Sequence, residues 1–95
     1  MKLVWLARAR ANRTDAIAYI AGKNPRAALD QLDEIERQTD MLMDYPDMGR
    51  VGRKRGTREL VVNRTPFIIV YRLRPRAQRI EILHVLHGAQ QWLPL

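Results

Sequence analysis

The chain has 95 residues and a mass of 11.1 kDa, which suits one domain over 1–95 with a single modest core. Its hydrophobic fraction of 46% and charged fraction of 28% are those of a globular chain rather than a disordered one, and no apolar run approaches the ~20 residues of a membrane span. Cysteine is absent, histidine occurs twice and the formal net charge is +7, which excludes a disulfide framework and a thiolate metal site and leaves a cytoplasmic protein without metal or other cofactor as the expectation.

The amino terminus, MKLVWLARARANR, offers only five apolar residues between Lys2 and Arg8, too few for the core of a signal peptide. Residues 2–6 (KLVWL) read instead as a strand. A first helix is expected over 8–22, with Ala9, Ile17, Ile20 and Ala21 as its apolar stripe and Gly22 at its carboxy-terminal end. Asn24-Pro25 opens a second helix over 25–45, because asparagine is a favoured N-cap and proline in the first turn gives up no needed hydrogen bond. Ala28, Leu29, Leu32, Ile35 and Leu42 keep helical spacing there, and Tyr45-Pro46 stops it. The tight connection makes the two helices an antiparallel hairpin.

Residues 47–56 (DMGRVGRKRG) read as a loop, rich in glycine and basic residues. The pattern then changes to period two, with strands expected over 57–63 (TRELVVN), 66–73 (PFIIVYRL) and 79–87 (RIEILHVLH). The second of these is almost wholly apolar, which predicts a central strand covered on both faces. Residues 88–95 (GAQQWLPL) form a tail whose Trp92 is placed to pack back on the sheet. The order β-α-α-β-β-β predicts an α+β domain, an antiparallel sheet with the helical hairpin packed on one face.

Charge is concentrated in the second half. Residues 50–79 hold ten basic side chains against the single acid Glu59, whereas the rest of the chain holds seven basic and nine acidic groups. Arginine supplies fourteen of the seventeen cations, and its planar fork binds phosphate and carboxylate in a way lysine cannot. Either this excess is a solvated face, or it is a surface gathered on one side of the sheet for a polyanion or an acidic protein. The acid–base candidates are few. Strict alternation along 79–87 puts Glu81, Leu83, Val85 and His87 on one face and Ile80, Ile82, His84 and Leu86 on the other. His87, at the strand end, reads either as a general acid or base near neutral pH or as a structural imidazole. Arg58 opens the face of Leu60 and Val62, where it can meet an external anion or pair with Glu81. Tyr71 reads as a core residue with a satisfied hydroxyl.

The segments YPDMGRVGR, GTRELVV, TPFIIVYRL and IEILHVLHGAQQWLP, in that order behind an amino-terminal strand and helix hairpin, resemble the RelE/ParE superfamily of toxins of bacterial type II toxin–antitoxin systems. The resemblance covers the whole chain. It implies a cognate antitoxin whose carboxy-terminal region covers the basic surface and a sheet edge or hairpin groove. The superfamily divides by mechanism. RelE-like members cut messenger RNA on the ribosome without a metal; on that pattern His87 would transfer a proton while Arg58 and Arg64 hold phosphate. ParE-like members lack that set and act on DNA gyrase. Here residues 57–63 carry Arg58 but no lysine, and GTRELVV, FIIVYRL and VLHGAQQWLP look ParE-like. The resemblance therefore favours a toxin that poisons gyrase, with Arg50, Arg53, Lys54, Arg55, Arg58 and Arg64 as target-binding residues. A ribosome-dependent mRNA endonuclease is the alternative.

Overall fold

The computed structural model describes residues 1–88; the expectation for Trp92 lies outside them. Strand β1 (Lys2–Trp5) leads into helices α1 (Ala7–Ala21) and α2 (Pro25–Asp40), followed by β2 (Arg50–Val51), β3 (Arg58–Val61), β4 (Phe67–Arg74) and β5 (Arg79–His87). Single 3-10 turns lie at Met41–Met43 and Pro75–Ala77. The fold is α+β, as expected.

Local chemistry places the helices where the sequence puts them. Asn24 caps α2, its Oδ1 accepting from the Ala27 N–H at 3.1 Å, with Pro25 in the first turn. The second helix is shorter than expected and tightens at Met41 into a 3-10 turn. Leu42 is fully buried in that turn, so the apolar stripe outlasts the α-helix. The Tyr45 N–H still reaches the Met41 carbonyl at 2.9 Å before Pro46 ends the run.

The five strands form one sheet in the order β1-β5-β4-β3-β2. The apolar strand β4 is central, and Phe67 through Tyr71 are all buried. β2 to β5 pair antiparallel, as expected, but β1 runs parallel to β5 from Lys2↔Arg79 to Trp5↔Ile82. The sheet is therefore mixed. Parallel neighbours need a long excursion between them, and everything between β1 and β5 serves as that excursion. The helices close one face. Ala9, Ile35 and Leu42 pack with Leu60, Val62, Phe67, Ile69, Tyr71, Ile80, Ile82 and Val85 in one core, and Trp5, Ile17 and Ile20 flank it.

Two sequence expectations fail here for identifiable reasons. Residues 47–56 are not simply a loop, because Arg50 and Val51 pair with Glu59 and Arg58 as an edge strand. That strand is held by tertiary bonds. The Gly49 N–H donates to the Tyr71 hydroxyl at 2.9 Å, and that hydroxyl donates to the Pro46 carbonyl at 2.7 Å. Strict alternation along β5 also fails. The register shifts between Val70↔His84 and Tyr71↔Ile82, so Leu83 is an extra residue, a β-bulge. Ile80 and Ile82 before the bulge, and Val85 after it, share the core face. His84 is turned to the opposite face, away from Ile80 and Ile82, with which it was grouped.

Tyr71 is fully buried and its hydroxyl is satisfied on both sides. Tyr71→Phe leaves a half-buried carbonyl and a buried amide without this partner, and is expected to lower stability by about 2 kcal/mol, read as a lower urea midpoint at unchanged slope. Gly49→Ala is expected to act in the same direction, since a Cβ there would lie 2.7 Å from the Tyr71 ring.

Candidate functional site

The sheet face opposite the helices is organised by two buried glutamates. Glu59 on β3 is 1% exposed and Glu81 on β5 is 4% exposed. Glu59 accepts from Arg50 Nη2 at 3.1 Å, from the Arg53 backbone N–H at 2.9 Å and from Arg53 Nε at 3.2 Å. Glu81 accepts from Arg72 Nε at 2.7 Å, Arg74 Nε at 3.4 Å and Arg79 Nη2 at 2.7 Å. Burial pushes the Glu59 carboxyl up, but the Arg53 amide and guanidinium together with Arg50 outweigh it and hold it below the ordinary 4.5. The Arg72 guanidinium, helped by Arg74 and Arg79, does the same for Glu81 against its own burial.

Five arginines thus share two carboxylates, so this face keeps a net positive charge after pairing. Lys54 and Arg55 add to it from the β2–β3 connection. That connection is pinned by the Gly52 N–H on the Thr57 carbonyl (2.8 Å) and the Thr57 hydroxyl on the Lys54 carbonyl (2.6 Å), and Gly56 supplies the left-handed turn at φ +81°. Lys54, Arg55, Arg72, Arg74 and His84 line a cavity of about 290 Å³ together with Leu73 and Leu83. Burial, then Arg8 and Lys54, lower the His84 pKa below its ordinary 6.5.

The structure does not bring all the sequence candidates together. Arg50, Arg53, Lys54 and Arg55 are neighbours on β2 and the connection that follows. Arg58 faces the other way. It does not pair with Glu81; its Nη1 donates to the Gly49 carbonyl at 2.8 Å and Nη2 lies 3.6 Å from Asp47. Arg64 is in the β3–β4 turn at φ 68°, with Nη1 3.8 Å from Glu34 of α2. The expected gathering of cations on one side therefore holds for only part of the set. His87 packs edge-on against Phe67, with ring centroids 6.0 Å apart. Arg58 is paired with Tyr71 and His87 with Phe67, four residues along β4, or about 13 Å. His87, Arg58 and Arg64 do not converge on one point.

A second concavity, of about 480 Å³, runs between α1 and the Phe67 end of the sheet. Tyr19, Ile20, Gln31, Phe67, Val85 and His87 are among its walls. Tyr19 is 68% exposed, with the Lys23 ammonium 4.8 Å above its ring, and Gln31 Oε1 is buried without a hydrogen-bond partner among the described residues. Sequence reasoning passed over this groove, and over Arg72 and Arg74 as site residues. The latter pair was legible: Arg72 and Arg74 alternate on β4 as Glu81 does on β5, which puts all three on one face. Among the described residues no cluster of three His, Asp or Glu is placed to hold a metal ion, and no helix is long and apolar enough to cross a membrane.

Residues 3–92 match the family described as ParE toxin of type II toxin-antitoxin system, parDE. The chain belongs to the ParE toxin family. It is 40% identical over 91 residues to Y4kP of Sinorhizobium fredii (strain NBRC 101917 / NGR234), which is provisionally designated a toxin; the match covers 96% of this chain and 92% of that protein. Among solved structures, a chain of the chromosomal ParDE TA system from P. aeruginosa superposes with a TM-score of 0.82 at 26% identity, covering 92% of this chain and 95% of that one.

The two glutamates are expected to make this ParE-family toxin acid-sensitive. Both carboxyls sit below their unfolded value, so the stability they lend is complete above about pH 4.5 and is lost as pH falls through their folded values. Urea midpoints measured from neutral pH downward are expected to drop below that point. Glu59→Gln and Glu81→Gln are each expected to be less stable at neutral pH and to lose part of this acid dependence; an unchanged profile in both would show that other groups set it.

Proposed function

We propose that this ParE-family toxin arrests growth by binding and poisoning DNA gyrase in the cytoplasm, and that a cognate antitoxin neutralises it. Family membership supports the toxin role, and the ParDE system to which the structure is similar supports the antitoxin. The observation that carries the reading is the face of arginines paired to buried carboxylates, with Arg50, Arg53, Lys54 and Arg55 at one edge. Such a face engages a protein or nucleoprotein by charge, and steers its approach more than it tightens the final complex. Arg58 and Arg64 would contribute from the neighbouring edge and the β3–β4 turn. The antitoxin would cover this face and the groove beside α1, where Tyr19 and His87 offer an apolar and polar wall. A nuclease of the RelE type needs a convergent set of groups around the scissile phosphate, and His87, Arg58 and Arg64 are spread over the sheet.

In a supercoiling assay with purified gyrase, the toxin is expected to block supercoiling or accumulate cleaved DNA, and added antitoxin to restore activity. Normal supercoiling at large toxin excess would reject the gyrase reading. Codon-positioned cuts in translated message that disappear in His87→Ala would favour the endonuclease instead. Association with the antitoxin is expected to slow as salt rises, with dissociation changing less.

A further inference from the structure

We propose that the cavity rimmed by Lys54, Arg55, Arg72 and Arg74 is a pocket for an acidic side chain of a partner protein. The inference rests on the reading above only in taking the partner to be a protein.

Three features of the pocket point to a carboxylate on an aliphatic stem. The first is how its cations are employed. Lys54 and Arg55 make no ion pair among the described residues, while Arg72 and Arg74 are tethered to Glu81 through Nε. Those tethers leave the terminal Nη groups of both arginines without a hydrogen-bond partner among the described residues. Each fork is therefore held in place with its outer donors unspent, the arrangement a planar anion needs. Glu81 acts here as a positioning residue.

The second is the lining. Leu83 is the non-polar side chain that this face offers the cavity, since Leu73 packs against the helix-side core, and the bulge in β5 is what turns Leu83 and His84 together onto this face. A glutamate places methylenes on leucine and oxygens among guanidinium groups. A backbone phosphate of a nucleic acid has no such stem. The third is that the chain itself already shows the chemistry: Glu59 and Glu81 are carboxylates gripped by arginines of this same face. His84 lines the pocket and feels Lys54, so an anion arriving there is expected to raise its pKa.

The test uses the whole purified toxin with two fluorescein-labelled probes, hexaglutamate and the oligonucleotide hexathymidylate, followed by anisotropy and by the His84 imidazole resonances. Hexaglutamate is expected to bind, to shift His84, and to raise its titration midpoint. Lys54→Gln and Arg72→Gln are each expected to weaken binding roughly fivefold. Arg26→Gln removes the same charge at the start of α2, outside the pocket, and is expected to change binding by less than about twofold. Because Arg72 also supports Glu81, Lys54→Gln and Arg55→Gln serve as the variants that leave the buried network intact. Equal losses in all variants would mean general charge attraction and would overturn the pocket, as would an unmoved His84. Tighter binding of hexathymidylate through the same residues would overturn the protein ligand in favour of nucleic acid. Gyrase plays no part in this measurement, so a pocket that fails while gyrase is still inhibited, or the reverse, separates the two proposals.

Discussion

A carboxylate taken out of water must be met by cations and hydrogen-bond donors, and this sheet buries two of them on the face its helices leave uncovered. Glu59 and Glu81 are almost inaccessible, and each gathers arginines from neighbouring strands. Glu59 draws Arg50 and Arg53 to β3, which is what turns a glycine-rich basic stretch into an edge strand and a pinned connection. Glu81 draws Arg72 and Arg74 across the β4–β5 hairpin and Arg79 from its own strand. Ion pairs at this depth lend little net stability over an apolar replacement, yet losing one partner strands a buried charge. Their more visible effect is order: long, flexible side chains are fixed at defined places on an open surface.

That order changes what the net charge of +7 means. A loose cloud of arginines would attract any polyanion through its field alone. Here part of the charge is spent inside the molecule, and the remainder is presented at an address, the cavity between the Lys54–Arg55 turn and the β4–β5 hairpin. Electrostatic attraction then brings a partner in, while geometry decides which anion stays. The groove beside α1 offers a different chemistry, with the Tyr19 ring, Phe67 and Val85 among its walls. Two surfaces of unlike character can be occupied by unlike partners, because what fits one need not fit the other.

Much of the architecture was legible in the chain. Period-two runs of β-branched residues marked β3, β4 and β5, Asn24-Pro25 marked the start of α2, and the unbroken apolar run of β4 marked the sheet centre, because burial on both faces removes the need for polar alternation. Tyr71 as a core residue with a bonded hydroxyl followed from a single polar atom in an apolar strand. The concentration of ten cations between residues 50 and 79 pointed to a cationic surface, and Lys54 and Arg55 line the cavity on the open face of the sheet.

Local pattern determined these elements because helix and strand periods are properties of neighbouring residues. The tertiary structure alone decided what depends on residues far apart in the chain. The parallel placement of β1 beside β5 arises from packing across almost the whole chain. The β2 strand exists because Glu59 and Tyr71 hold it, and no periodicity in DMGRVGRKRG encodes either contact. One inserted residue at Leu83 reverses the faces of half a strand, which sent His84 to the cationic cavity and left His87 against Phe67. Arg58 and Arg64, close in sequence to the cationic loop, were directed elsewhere by the Gly49 carbonyl and by Glu34. Side-chain charge is written in the sequence, but its direction is set by whichever partner the fold brings within reach.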